Sequence, residues 1–185
     1  MDEITKFRIF NKLKSVYRSN SVKNRKESSA EHSWSCLMLA DFFLSRMKSK
    51  LDRLKIYELL MYHDVIEIEV GDSPLSPIMH RLDKEKRELE AVDTLKEKLP
   101  TPLNDKFVEL FLEFEAKTTL ESKFAKAIDN LDAEIHELDY KKDWKGWTKE
   151  FLIEKKLDFF EDFPELKKAF NEILEYLVEN NYFNQ

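Results

Sequence analysis

Apolar positions recur at helical spacing over almost the whole chain. Ile4, Phe7, Phe10, Leu13 and Val16 come every three residues and predict a first amphipathic helix. Residues 18–29 interrupt the pattern with Ser, Asn, Lys and Arg and read as a loop. Ser28 and Glu31 then supply an S-x-x-E capping box that opens a second helix. That helix carries Trp34, Cys36, Leu37, Met38, Leu39, Ala40, Phe42, Phe43, Leu44 and Met47, so it is apolar nearly all round. Such a helix is expected to run through the core. A third, from about Asp52 to His63, holds Leu54, Ile56, Tyr57, Leu59, Leu60 and Met61.

GDSPLSP at 71–77 is a loop by its glycine and two prolines. A more charged, peripheral helix of about 79–98 follows (Leu82, Leu89, Val92, Leu95), stopped by Pro100-Thr101-Pro102. Phe107, Leu110, Phe111 and Phe114 mark the next helix; Leu120, Phe124, Ile128, Leu131, Ile135 and Leu138 mark the one after. Trp144-Lys145-Gly146-Trp147 is a break. Two helices near 149–161 and 164–182 close the chain, with Pro164 suited to a first helical position.

Composition agrees with an all-α fold in one domain, residues 1–185. With 2 Gly and 5 Pro the chain lacks the turn residues of a β-sandwich, and no glycine-rich phosphate loop exists. One Cys leaves neither a disulfide framework nor a CxxC zinc site. No apolar run approaches a membrane span and the start lacks a signal-peptide core, so the expectation is a soluble, cytoplasmic protein without a membrane partner. The net charge of −6 argues against a nucleic-acid polymer as partner. The charge is uneven: Lys12 to Lys26 holds six basic residues and no acidic one, whereas Lys149 onward holds nine acids against five lysines. Such runs read as solvated helix faces, and the basic one gains meaning only beside an anion.

Candidate chemistry sits on the segments expected to be buried. His32 lies in the first turn of the second helix, and His63 ends the third and is followed by Asp64. A buried imidazole or carboxylate must be paired or hold a metal, and this ligand set suits divalent first-row ions without choosing between them. On a continuing helix Glu67 falls three residues after Asp64 and four after His63, beside them, where it could move a proton. Asp72 begins a turn before Ser73-Pro74. On the 120–138 helix a second stripe of Ser122, Ala125, Asp129, Ala133 and His136 would let Asp129 reach inward, with Asp132 its rival by spacing alone. Cys36 reads as a core thiol, and Trp144 and Trp147 as packing or dimer contacts, with base stacking the rarer use.

His32, His63-Asp64 and Asp129, in that order, resemble the H…HD…D signature of HD-domain phosphohydrolases. Glu27-Ser28 with Glu31-His32 is similar to the E-(S/N)-x-x-(E/D)-H stretch of their small 5′-deoxynucleotidase branch; His63-Asp64-x-x-Glu67-x-x-x-Gly71-Asp72 is similar to its HDxxExxxGD, and Ala127-Ile128-Asp129-Asn130-Leu131 to its (A/L)-D-x-L segment. The resemblance covers roughly residues 10–140, leaving helices 149–182 to pack on that core.

It implies a compact helical bundle of the HD type. It further implies one divalent metal ion (Mn²⁺, Co²⁺, Mg²⁺, Ni²⁺, Zn²⁺ or Fe²⁺) on His32, His63, Asp64 and Asp129, and it favours Asp129 over Asp132. Glu67 and Asp72 would be the catalytic acids, and Arg18 would hold the substrate phosphate, with Arg25 its rival. The implied substrate is a small phosphorylated molecule, a (deoxy)nucleoside 5′-monophosphate. Another phosphate ester, or a non-catalytic metal-binding module, is the alternative, and a homodimer is compatible with the pattern. Ile68 after Glu67, in place of a second acid, counts against the ppGpp-hydrolase branch.

Overall fold

Helix α1 (Glu3–Phe7) passes into a 3₁₀ helix over Arg8–Ser15, replacing the single amphipathic α-helix expected. Three residues make one 3₁₀ turn, so an i, i+3 stripe stacks on one face. Of the stripe, Leu13 is buried, together with Ile9 from outside it, while Ile4 and Phe7 face outward. The computed structural model describes residues 2–48, 50–75 and 84–183, without the side chains of 84 and 85. His80, Leu82, the first turn of the 79–98 helix and the end of the GDSPLSP loop therefore lie outside the described residues.

The stretch read as a loop is an antiparallel hairpin, β1 (Tyr17–Val22) and β2 (Arg25–Ser28). Lys23 makes the turn at φ 53°. The register shifts between Tyr17 and Ser21, a bulge of the kind that re-aims side chains beside functional sites. The amide and hydroxyl of Ser21 donate to Asp143 at 2.8 and 3.0 Å, and the Lys23 amide donates to the Tyr140 hydroxyl at 3.0 Å. These bonds hold a strongly polar hairpin, in which only Tyr17 and Val22 are usual strand formers, against the helices.

Helix α2 (Ser29–Leu44) opens on the expected capping box of Ser28 and Glu31, and α3 (Arg53–Tyr62) on Asp52. After α3 the chain tightens into i, i+3 turns (Glu67 amide to Asp64 carbonyl, 3.0 Å; Ile68 to Val65, 3.2 Å) and a short α4 (Glu67–Val70). The continuous helix expected through Glu67 is thus broken at His63. Gly71 ends α4 at φ 72°, ψ 164°, a backbone conformation open to glycine alone. There follow α5 (Lys84–Lys98), α6 (Leu103–Ala116), α7 (Leu120–Glu137), α8 (Lys149–Lys156), a 3₁₀ turn over Leu157–Phe160, and α9 (Pro164–Glu179) with Pro164 in its first turn.

Helices α2, α3 and α7 pack on one another, α6 closes against α3 and α7, and α9 lies on α7. One core joins them, with Phe107, Phe111, Phe124, Phe160, Phe170 and Trp144 fully enclosed. Helix α2 is not immersed as expected. Cys36, Ala40, Phe43 and Leu44 point inward, but Trp34, Met38 and Phe42 form an outward apolar stripe, Trp34 with 66% of its surface exposed. Among the described residues no helix is long and apolar enough to cross a membrane.

Candidate metal centre and its cavity

The capping box fixes the first turn of α2 and so aims His32 at the face of α7. The ring is fully buried. Its Nδ1 lies 2.9 Å from Asp132 Oδ2 and its Nε2 3.0 Å from Asp129 Oδ1. Asp129 and Asp132 are one helical turn apart, so a single helix face brackets both nitrogens. Ser35 donates to Asp132 Oδ1 at 2.6 Å, which orients that carboxylate from behind. Burial and Arg18 disfavour the charged ring, but the surrounding acidic groups outweigh them and hold His32 well above the usual histidine pKa.

His63, at the C-cap of α3, is different. Its Nδ1 donates to the Leu60 carbonyl at 2.7 Å, which fixes the tautomer and leaves Nε2 with a lone pair. Burial lowers its pKa, so the ring is neutral at neutral pH. Yet Nε2 is buried with no hydrogen-bond partner, facing Asp64 Oδ1 at 3.2 Å and Asp129 Oδ1 at 3.9 Å. Asp64 and Asp129 are ionised: burial opposes this, but the neighbouring positive charges, His32 and Arg18 among them, hold Asp64 below the carboxylate range, and Lys126 with His32 holds Asp129 well below it. A lone pair and two carboxylates aimed at one point repel unless a cation sits between them. Donors around an ion with bonds of roughly 2.1 Å stand about 3.0–3.5 Å apart, close to the separations here. The residues fit a divalent metal.

The Cys36 thiol joins this group. It lies one turn after His32 on α2, 3.5 Å from His32 Nε2, and its Sγ shares a 4.8 Å cluster with ligand atoms of His32, His63 and Asp129. Burial pushes the thiol up to about 12, so it lines the centre as a neutral group. The i, i+4 relation to His32 was the available signal; an apolar neighbourhood made it read as core alone.

A cavity of about 670 Å³ opens beside His63, Asp64 and Asp129 and contains Arg18, Glu67 and Asp72. Arg18, carried by β1, sends Nε to within 3.3 Å of Glu27 Oε2 and Nη1 to within 3.5 Å of Asp64 Oδ2. Burial works against its charge, but Asp64, Asp72, Glu67 and Asp129 raise its pKa above the ordinary value, so it stays a cation. Arg25 is elsewhere: half-exposed, it grips Glu31 with both terminal nitrogens at 2.8 and 2.5 Å. Glu67 is buried and accepts from the Ser29 hydroxyl at 2.6 Å. Burial, then Asp64 and Asp72, push its pKa well above the carboxylate range. Asp72 is half-buried at the cavity wall.

Residues 10–167 match the family model described as HD domain. The chain belongs to the HD-domain family. This HD domain is 30% identical over 139 residues to the human protein 5′-deoxynucleotidase HDDC2 and 29% identical over 136 residues to its Bos taurus counterpart, each alignment covering 72% of the chain. The same alignments span 65% of the length of those relatives. The HD domain also superposes, at a TM-score of 0.85 and 26% identity, on the crystal structure of a predicted metal-dependent phosphohydrolase from Magnetospirillum magnetotacticum MS-1; 97% of this chain and 92% of that one are covered.

Proposed function

We propose that this HD domain is a metal-dependent 5′-nucleotidase that releases phosphate from (deoxy)nucleoside 5′-monophosphates. The observation that carries the reading is the unpartnered His63 Nε2 facing Asp64 and Asp129 in a cavity that also holds a buried arginine and a buried glutamate. The named activities of the aligned relatives support the substrate class. His32, His63, Asp64 and Asp129 would hold one divalent ion, which when bound polarises a phosphoryl oxygen and makes hydroxide available near neutral pH.

The remaining chemistry belongs to the chain. Arg18 presents a planar fork of donors to the phosphate and offsets the negative charge that gathers on its oxygens. Glu67 enters the reaction as the neutral acid. With Oε2 engaged by Ser29, its Oε1 is the atom to deliver a proton to the departing 5′-oxygen. Asp72, at the cavity wall, takes the proton of the attacking water. Ser35 and Asp132 keep His32 turned so that Nε2 points to Asp129 and would be available to the ion. A structural metal site would require neither a cation nor an acid buried beside it, which disfavours the non-catalytic reading. The outward stripe of Trp34, Met38 and Phe42 supports self-association of two copies through α2.

A panel of phosphate esters, assayed after chelation and re-addition of Mn²⁺, Co²⁺, Mg²⁺ or Ni²⁺, tests the proposal. Phosphate release from 5′-monophosphates in preference to triphosphates and cyclic nucleotides is expected. Release from none of them with any metal would overturn it.

A further inference from the structure

The cavity does not end at the metal centre. It continues along α7, one face of which lines it from Asp129 through Ala133 and Glu134 to Glu137. At 1.5 Å per residue, Glu137 lies about 12 Å along the helix from Asp129. That is the reach of a nucleoside from its 5′-phosphate to the far edge of its base. The small Ala133 between them leaves the floor open.

The far end is built from groups that the phosphate chemistry does not use. Lys156 of α8 is almost wholly buried, pairs with Glu134 Oε1 and approaches the Asn130 carbonyl at 3.3 Å. Asn20 of β1 donates to Glu137 Oε1 at 2.9 Å. Trp147 and the Phe159 ring complete the wall with apolar surface. Glu134 is 1% exposed, and its Oε2 is buried with no hydrogen-bond partner. Burial and Glu134 push the Glu137 carboxyl up to about 8, as expected where two acids share a confined space. An unsatisfied buried acceptor is costly unless something donates to it.

We infer that this end of the cavity is a nucleobase subsite, in which Glu134 accepts from an N–H or exocyclic amine of the base while Trp147 packs against the ring. Acidic side chains pair with bases by accepting from exocyclic amines, and aromatic side chains supply the flat apolar contact. The inference deepens the nucleotidase reading and relies on it for the position of the phosphate.

Calorimetric binding of nucleosides to the 185-residue chain tests the subsite without turnover. Deoxyadenosine, the 2′-deoxyriboside of unsubstituted purine (same ring, no N–H on the base) and deoxyribose are the probes. Wild type is expected to bind deoxyadenosine about tenfold to a hundredfold more tightly than the purine deoxyriboside, the worth of one hydrogen bond to a charged group. It is expected to bind the purine deoxyriboside more tightly than deoxyribose.

The double variant Glu134→Leu/Lys156→Met removes both members of the buried pair, so neither charge is stranded; it should bring the first ratio to about one. Trp147→Leu should reduce the second preference and serves if the double variant does not fold. Equal binding of the two purine nucleosides to wild type, or no nucleoside binding, overturns the inference. So does an unchanged first ratio in a folded double variant, or an unchanged second one in Trp147→Leu. Phosphate release is scored separately: its absence with the nucleoside ranking intact would remove the nucleotidase reading and leave the subsite standing.

Discussion

Asp129 and Asp132 touch opposite nitrogens of the same imidazole at almost the same distance, 3.0 and 2.9 Å, yet the geometry gives them different work. Asp129 also faces His63 Nε2, whereas Asp132 faces away from it and takes a hydroxyl from Ser35. Asp129→Ala should therefore remove a donor from the ion. Asp132→Ala should leave all four donors present and release only the orientation of His32. Loss of such an orienting partner lowers metal affinity about 10- to 100-fold, or roughly 1.4–2.8 kcal/mol.

The assay is titration of each chelated variant with Mn²⁺ or Co²⁺ against a competing chelator, read as affinity and stoichiometry. Asp132→Ala is expected to bind one ion per chain with affinity reduced within that range, and Asp129→Ala to lose more. Asp132→Asn should lie close to wild type, because its amide oxygen can face Nδ1 while its NH₂ donates to Ser35. A full loss of binding in Asp132→Ala with near wild-type affinity in Asp129→Ala would exchange the two roles. Unchanged affinity in Asp132→Ala would show that the ring is oriented by its packing alone.

Three further outcomes are expected. Arg18→Ala should weaken hydrolysis of every monophosphate while metal content stays at the wild-type level, and Arg18→Lys should restore it only in part, since an ammonium lacks the planar fork; loss in Arg25→Ala instead would refute this. Glu67→Gln should keep the metal but lower turnover on the order of 10²–10⁴-fold, checked by single-turnover phosphate release, and near wild-type turnover at full occupancy would remove Glu67 from the mechanism. Trp144→Ala deletes a fully buried ring and the bond from its Nε1 to the Glu137 carbonyl at 3.0 Å; urea unfolding should show a loss of about 3–5 kcal/mol, and a loss below about 1 kcal/mol would mean the core refills the space.

The helical framework was legible because its caps are local. Ser28 with Glu31, Asp52 and Pro164 act within a few residues of themselves, and the elements they start are where the spacing puts them. Part of the cluster was legible for a related reason: His32 and His63-Asp64 stand out as polar groups on strongly apolar segments, and the structure brings them together with Asp129. What escaped depends on distant partners. The hairpin is held by Asp143 and Tyr140, more than a hundred residues away, and inside Tyr17–Ser28 only Tyr17 and Val22 favour a strand. Lys156 belongs to a charged stretch that reads as solvated, yet it is buried because Glu134 and the Asn130 carbonyl meet it from α7. Asp132 could not be told from Asp129 by spacing, because what separates them is the position of His63. The outward stripe of α2 was hidden by its own hydrophobicity, since an apolar face looks the same whether a neighbour covers it or not.

Helix α7 works as a ruler. It carries Asp129 beside His63, Asp132 behind His32, and Glu134 and Glu137 at the far end of the cavity, all within one unbroken rod. One residue inserted between Asp132 and Glu134 would turn everything beyond it by about 100° and shift it by 1.5 Å, taking Glu134 out of the cavity while leaving Asp129 and Asp132 in place. The chain can thus change what it reads at the far end by substitution, but not by altering length within α7. Length variation is left to the turn at Lys23 and Asn24, where an added residue moves no donor along the rod.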